Sequence, residues 1–326
     1  MPRLPRLRFF LRTAISLLLV LMLVRLFSGE QLWRALRRVP APVFLGAIAV
    51  FLCVHVLGGI KWGLLLAGCG APLPFRQVVR CYLAGPFGNI FVPSVIGGDL
   101  VSVGLALRRS PNRTGLIVGS LLNRAVDFAC LLLFAETGAL MLPQTDHAAR
   151  RLRWLALGGL LVGGIVILLG LLRIVRISRF PGKVKRLMVR LRMVGRAVRR
   201  RPGPVLLGLV AGLAVQAGFL LGARWVGTAS GLEMPVRLWL FAYPLAKLAA
   251  VLPVTQGGIG VREVAFAAVL LALGIQPAAA VAASLAWEVV LVAGGLLGGG
   301  ISLAMTRWMA GQPERWECAA RSSFPK

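Results

Sequence analysis

The sequence predicts an all-α polytopic membrane protein: about six transmembrane helices plus two re-entrant helical hairpins, arranged as an inverted repeat. Three observations carry this reading. The chain is 58% hydrophobic, with mean hydropathy +0.83 and only 10 acidic residues among 326, which excludes a soluble globular domain. Pro93-Ser-Val-Ile-Gly97-Gly98 and Pro253-Val-Thr-Gln-Gly257-Gly258 share the pattern Pro-x-x-x-Gly-Gly, each inside an apolar stretch too interrupted for a plain membrane helix. Broken segments at corresponding places in two halves mark internally repeated transporter folds, with the binding site between the breaks. The layout around the two breaks repeats as well.

Crossing a hydrocarbon layer of ~30 Å takes roughly 20 apolar residues. The first span, 12–28, has its core at Thr13 to Val24 between Arg12 and Arg25, whose long side chains reach the interfaces. A cleaved signal peptide is the alternative there, but no small-x-small site follows the core. The uncharged run Ala41 to Ile60 begins a second span, 41–68. Phe75 to Leu107 contains Arg76, Arg80, Pro86, Asn89, Pro93, Gly97, Gly98 and Asp99, and reads as a hairpin of two half-helices. Span 113–142 closes the first half and carries Arg124, Asp127 and Glu136. The second half repeats this order: span 153–173, span 204–228, hairpin 237–275 with Lys247, Arg262 and Glu263, and span 277–306 with Glu288. Non-helical backbone at membrane depth survives only beside protein or a wet cavity, so each hairpin bends at its Pro-x-x-x-Gly-Gly. Three crossings per half turn the second half upside down. The halves are 1–150 and 151–306, and residues 307–326 form a C-terminal tail.

Lys and Arg in the loops set the orientation. Segment 173–201 has twelve basic residues and no acidic one, which places it in the cytosol. Arg3, Arg6, Arg8, Arg12, the loop at Arg108, Arg109 and Arg113, and the tail fall on the same side. Arg34, Arg37 and Arg38 dissent. The expected location is the cell (inner) membrane, multi-pass, with both termini cytosolic. Within 173–201, Val184, Leu187, Met188, Leu191, Val194 and Val198 follow helical spacing between basic residues. This pattern suits an amphipathic helix on anionic lipid, or a segment that only enforces topology. The +28 net charge therefore points to phospholipid rather than nucleic acid, for which no binding module is present.

Catalytic and metal signatures are absent. Cys53, Cys69, Cys81, Cys130 and Cys318 form no CxxC pair, and His55 and His147 give no metal-site spacing. There is no P-loop and no Gly-x-Ser-x-Gly elbow. The expectation is a non-enzyme without metal or cofactor. The intramembrane charges are the candidates for function, because burying them is costly unless they pair or line a pathway. Arg124 and Asp127, three apart on one helix, can pair with each other. Arg262 and Glu263 open the second arm of the second hairpin, and Asp99 holds the corresponding place after Gly97-Gly98. Half-helix N-termini and nearby cations favour an anionic group such as phosphate. Lys247 and Lys61 are further cations that either bind or snorkel. An inverted repeat brings Arg124 and Arg262 to one polar cavity, held by Asp127 and Glu263. Two separate structural ion pairs are the alternative.

Asn89-x-x-x-Pro93-x-x-x-Gly97-Gly98-Asp99, Asn123-Arg124-x-x-Asp127 and Pro253-x-x-x-Gly257-Gly258-Ile-Gly-Val-Arg262-Glu263 together resemble the flippase-like transmembrane family. That family includes the membrane half of lysylphosphatidylglycerol synthases and their stand-alone relatives. The resemblance covers roughly residues 10–306. It implies translocation or handling of a lipid with a charged head group, either a phospholipid or an isoprenoid (polyprenyl) phosphate lipid. Membrane lipids, anionic ones first, are the implied partners, with lipid-biosynthesis enzymes as further ones. The alternatives are a non-transporting partner of a lipid-modification or isoprenoid-lipid pathway, and a membrane-embedded transferase. The sequence departs from the family at Ser102, where many members carry Arg, and at Asn123, where many carry Glu. Many also have Arg near Trp287 and Glu288. Ending at Lys326, the sequence has no room for the aminoacyl-transfer domain of full-length synthases, so synthase activity is not expected.

Overall fold

The computed structural model describes residues 37–91, 96–142, 202–251, 255 and 258–310, with isolated positions at 189, 196 and 199. The sequence-derived spans 12–28 and 153–173, nearly all of segment 173–201, the tail beyond 310, and Pro93, Pro253 and Gly257 lie outside the described residues. Among those described there are eight helices and no strand. They are α1 (Ala41–Gly68), α2 (Phe75–Phe91), α3 (Ile96–Leu107), α4 (Arg113–Leu140), α5 (Pro202–Ala229), α6 (Val236–Ala249), α7 (Val261–Ala272) and α8 (Pro277–Ala310). α1, α4, α5 and α8 are long and apolar enough to cross a membrane. α2–α3 and α6–α7 are the two broken segments, each a pair of antiparallel shorter helices.

Local chemistry explains the boundaries. Pro42 sits in the first turn of α1 and Pro202 and Pro277 open α5 and α8, where a missing N–H costs no helical hydrogen bond. Asn112 caps α4: its Oδ1 accepts from the Gly115 N–H at 2.8 Å, while its Nδ2 donates to the Gly70 carbonyl at 2.9 Å. The α1–α2 and α5–α6 joints are built alike. Gly70 (φ 73°) and Gly231 (φ 98°) each take the left-handed conformation. The residue after each donates back five positions, Ala71 to Leu66 and Leu232 to Gly227, both at 2.9 Å, which closes the preceding helix in a Schellman cap. Four residues beyond each glycine, Pro74 and Pro235 precede the next helix. The first arm of each hairpin also carries an internal proline, Pro86 and Pro244.

α1 and α5 run antiparallel in close contact, with Gly46 against Trp225, Val54 against Gly218 and Gly68 against Pro204. Small residues at such contacts let helix backbones approach where apolar burial gives no advantage over lipid. The hairpins pack crosswise: α2 lies along the C-terminal half of α8, and α6 along the C-terminal half of α4. The mouth of α2–α3 lies at the start of α4, where Leu73, Val78, Leu107 and Leu116 cluster. The mouth of α6–α7 lies at the other end of α4, where Leu238, Phe241, Leu273 and Ala139 meet. The broken segments therefore enter the bundle from opposite ends. Outside, α5 and α8 present Leu206, Leu207, Val210, Leu221, Leu297 and Leu303 uncovered. An apolar face of that extent fits lipid rather than water.

Because the two joints depend on a left-handed residue, Gly70→Ala and Gly231→Ala should each destabilise the bundle by about 1–2 kcal/mol. Gly104→Ala, in a helix with nothing within 4 Å of the added Cβ, should be neutral or stabilising. Thermal unfolding of the detergent-solubilised protein compares the three. Equal behaviour at all three positions would contradict the joint geometry.

Candidate functional site

Two adjoining cavities occupy the space between the hairpins. One, of about 160 Å³, is bordered by Tyr82, Asp99, Ser102, Arg124, Asp127 and Gln216. The other, of about 170 Å³, is bordered by Tyr243, Ile259, Arg262 and Glu288. His55, Pro86, Asn89, Phe219 and Lys247 line both, so these five form the wall between them. All eight described helices contribute a side chain to this region.

The first hairpin is closed by its own residues. Asn89 Oδ1, near the end of α2, accepts from the Gly98 N–H at 2.7 Å in the first turn of α3. A Cβ on Gly98 would collide with the Gly85 carbonyl and the Asn89 side chain, so the arms can approach this closely only at glycine. Gly97 is buried beside it. In the second hairpin Gly258 has φ 83°. The N-terminus of α7 is capped from within by Glu263, whose Oε2 accepts the Gly260 N–H at 2.6 Å.

Most of the charges are paired between elements, and one contact, Arg262 with Glu263, runs along a helix. Arg124 of α4 pairs with Asp99 of α3, not with Asp127 one turn along its own helix. Asp127 instead receives Lys61 Nζ of α1 at 2.5 Å and Gln216 Nε2 of α5 at 3.2 Å on the same oxygen. Lys61 is fully buried, which explains why it neither snorkels nor reaches the cavity. Gln216 passes the network on, its Oε1 accepting from Lys247 Nζ at 2.8 Å. Lys247 also stands 4.1 Å from the centroid of the Phe219 ring and 5.9 Å from that of Tyr243, a cation–π arrangement that offers no counter-charge. No described carboxylate pairs with Lys247. Arg262 pairs with Glu288 of α8, and with Glu263 Oε1 at 3.4 Å. Glu263 is fully buried behind it and lines neither cavity.

The structure thus gathers Asp99, Arg124, Asp127 and Lys247 around one cavity and puts Arg262 on the adjoining one. Glu288, Gln216 and Asn89 were not assigned roles from sequence. Signals for the first two existed, since Glu288 is the single charge in the run 278–306 and Gln216 the single polar amide in 204–223. Among the described residues no group of three or more metal-ligating side chains occurs.

The family described as the lysylphosphatidylglycerol synthase TM region matches residues 9–299. No curated protein and no solved structure matches the chain.

Removing one member of a buried pair strands the other. Asp127→Ala should destabilise the protein by about 3–5 kcal/mol, because Lys61 would be left buried and uncompensated. The double variant Lys61→Met/Asp127→Leu should recover most of that loss. Tryptophan-monitored unfolding in detergent reads both, and a double variant as unstable as the single one would contradict the pairing.

Proposed function

The chain belongs to the family of the lysylphosphatidylglycerol synthase transmembrane region, and on that premise we propose that it binds a lipid with an anionic, phosphate-bearing head group between its two hairpins and carries it across the membrane. The observation behind this is Lys247. It lines both cavities, and it has no described carboxylate partner, whereas Arg124, Lys61 and Arg262 each have one. A phosphate in either cavity supplies the missing counter-charge, with Asn89 and Ser102 as neutral hydrogen-bonding neighbours. The small cavity volumes favour a compact head group, its acyl or prenyl chains running out toward lipid. A phospholipid and a polyprenyl phosphate share this chemistry.

The inverted repeat belongs to the same proposal. It is supported by the matching glycine–proline joints, the crosswise packing of hairpin on span, and the entry of the two hairpins from opposite ends. In this reading 1–150 and 151–306 are the repeat units, both hairpins are re-entrant, and the site at their breaks can be approached from either leaflet. The end holding Arg76, Arg108, Arg109, Arg113 and Arg307 faces the cytosol, by the bias of basic residues toward that side, and the termini lie there. The protein acts as a carrier rather than an enzyme, beside lipid-biosynthesis enzymes that make or use the lipid.

Reconstitution into vesicles with fluorescent phosphatidylglycerol, a fluorescent polyprenyl phosphate or fluorescent phosphatidylcholine tests the proposal. The wild-type chain should move at least one of the two anionic lipids faster than phosphatidylcholine. A folded Lys247→Gln variant should slow that movement roughly tenfold or more, the value of a lost charge-assisted contact. Binding of anionic lipid without movement would instead favour a non-transporting partner. Unchanged movement in Lys247→Gln would remove the site.

A further inference from the structure

A second cationic site lies away from the cavities, at the end of the bundle where α2 and α4 start and α3 and α8 stop. The charged residues described there are all arginines: Arg76, Arg80, Arg108, Arg109, Arg113 and Arg307. The six described carboxylates, Asp99, Asp127, Glu136, Glu233, Glu263 and Glu288, lie along the cavities or toward the other end. Five of these arginines can hydrate at the surface. Arg80 cannot, being 6% exposed. Its backbone is fixed by Ser302, whose hydroxyl donates to the Arg80 carbonyl at 2.9 Å. Its guanidinium has poor partners: the Thr306 hydroxyl at 3.3 Å and the Cys81 sulfur at 3.8 Å. The Nε–H has none. A buried guanidinium whose five donors meet no described carboxylate keeps much of its desolvation cost.

Beside it, the Arg76 guanidinium lies 4.8 Å from the centroid of the Trp308 ring. A tryptophan and arginines at a helix end form the usual furniture of the head-group layer. We propose that Arg80 anchors the phosphate of an anionic phospholipid resident at this face, with Arg76 and Trp308 flanking the head group. The lipid seals α2 against α8 and is distinct from any lipid in the central cavities. The charge of the face selects an anion, and the apolar flanks of the helices select a lipid over a free ion.

Native mass spectrometry of the full chain in detergent tests this, with added dioleoyl phosphatidylglycerol, dioleoyl phosphatidylcholine or inorganic phosphate. The wild-type chain should retain a phosphatidylglycerol adduct in preference to phosphatidylcholine, and inorganic phosphate should not displace it. Arg80→Gln should weaken that adduct about fivefold, and Arg80→Lys should keep most of it. Lys247→Gln should leave it in place, which separates this site from the central one. Three results would each overturn the proposal. One is equal retention of the two lipids by the wild-type chain, which stays decisive even if Arg80→Gln fails to fold. Another is an adduct unaffected by Arg80→Gln. The third is equal loss of thermal stability in lipid-free detergent by Arg80→Gln and by Glu314→Gln/Glu317→Gln, since that would assign Arg80 to the C-terminal tail.

Discussion

A charge inside an apolar bundle must meet a counter-charge or water, and the architecture follows from how this chain meets that demand. Each hairpin is tied to the span that follows it by one ion pair, Asp99 with Arg124 and Arg262 with Glu288. Arg124 and Glu288 stand at the same distance from the first residues of their helices, Arg113 and Pro277. The two spans α4 and α8 thus use one position for the same purpose with the charges exchanged. A third pair, Lys61 with Asp127, joins α1 to α4 behind the cavity. Once these cations are matched, Lys247 is left as the cation lining the cavities that no described carboxylate neutralises. A structural requirement of the bundle therefore singles out the residue on which the proposed binding rests.

The helical breaks leave that charge beside open space. Without them, eight pieces of helix would pack as continuous rods and leave no polar backbone at the centre. Asn89 closing on Gly98, and Glu263 closing on Gly260, satisfy the amides freed at the two bends while keeping the space between them open. Because one hairpin enters from each end, the cavities sit where both meet. A carrier needs such an arrangement and a plain structural bundle does not.

Much of the fold was legible in the sequence because its signals are local. The bounds 41–68 and 75–107 follow from uncharged runs, prolines and glycines, and the observed helices keep them. The candidate charges were legible for the same reason: charges are rare in apolar segments. Their partners were not. Spacing along a helix proposes Arg124 with Asp127, but the crosswise packing brings α3 and α1 nearer to those side chains than they are to each other. Gln216 and Glu288 acquire meaning only when α5 and α8 are placed against the hairpins. Periodicity identifies what must be compensated, and tertiary contact decides by what.

The central claim is that an anionic head group completes the charge of Lys247 between the hairpins. The most direct measurement is an electron cryo-microscopy structure of the full chain in nanodiscs containing phosphatidylglycerol and a polyprenyl phosphate. The account predicts phosphate density within hydrogen-bond distance of Lys247 Nζ, in one of the cavities walled by His55, Asn89 and Phe219, with Arg124 and Arg262 on either side. A Lys247 paired with a carboxylate from elsewhere in the chain, with both cavities closed by side chains and lipid phosphate only on the outer surface, would contradict it.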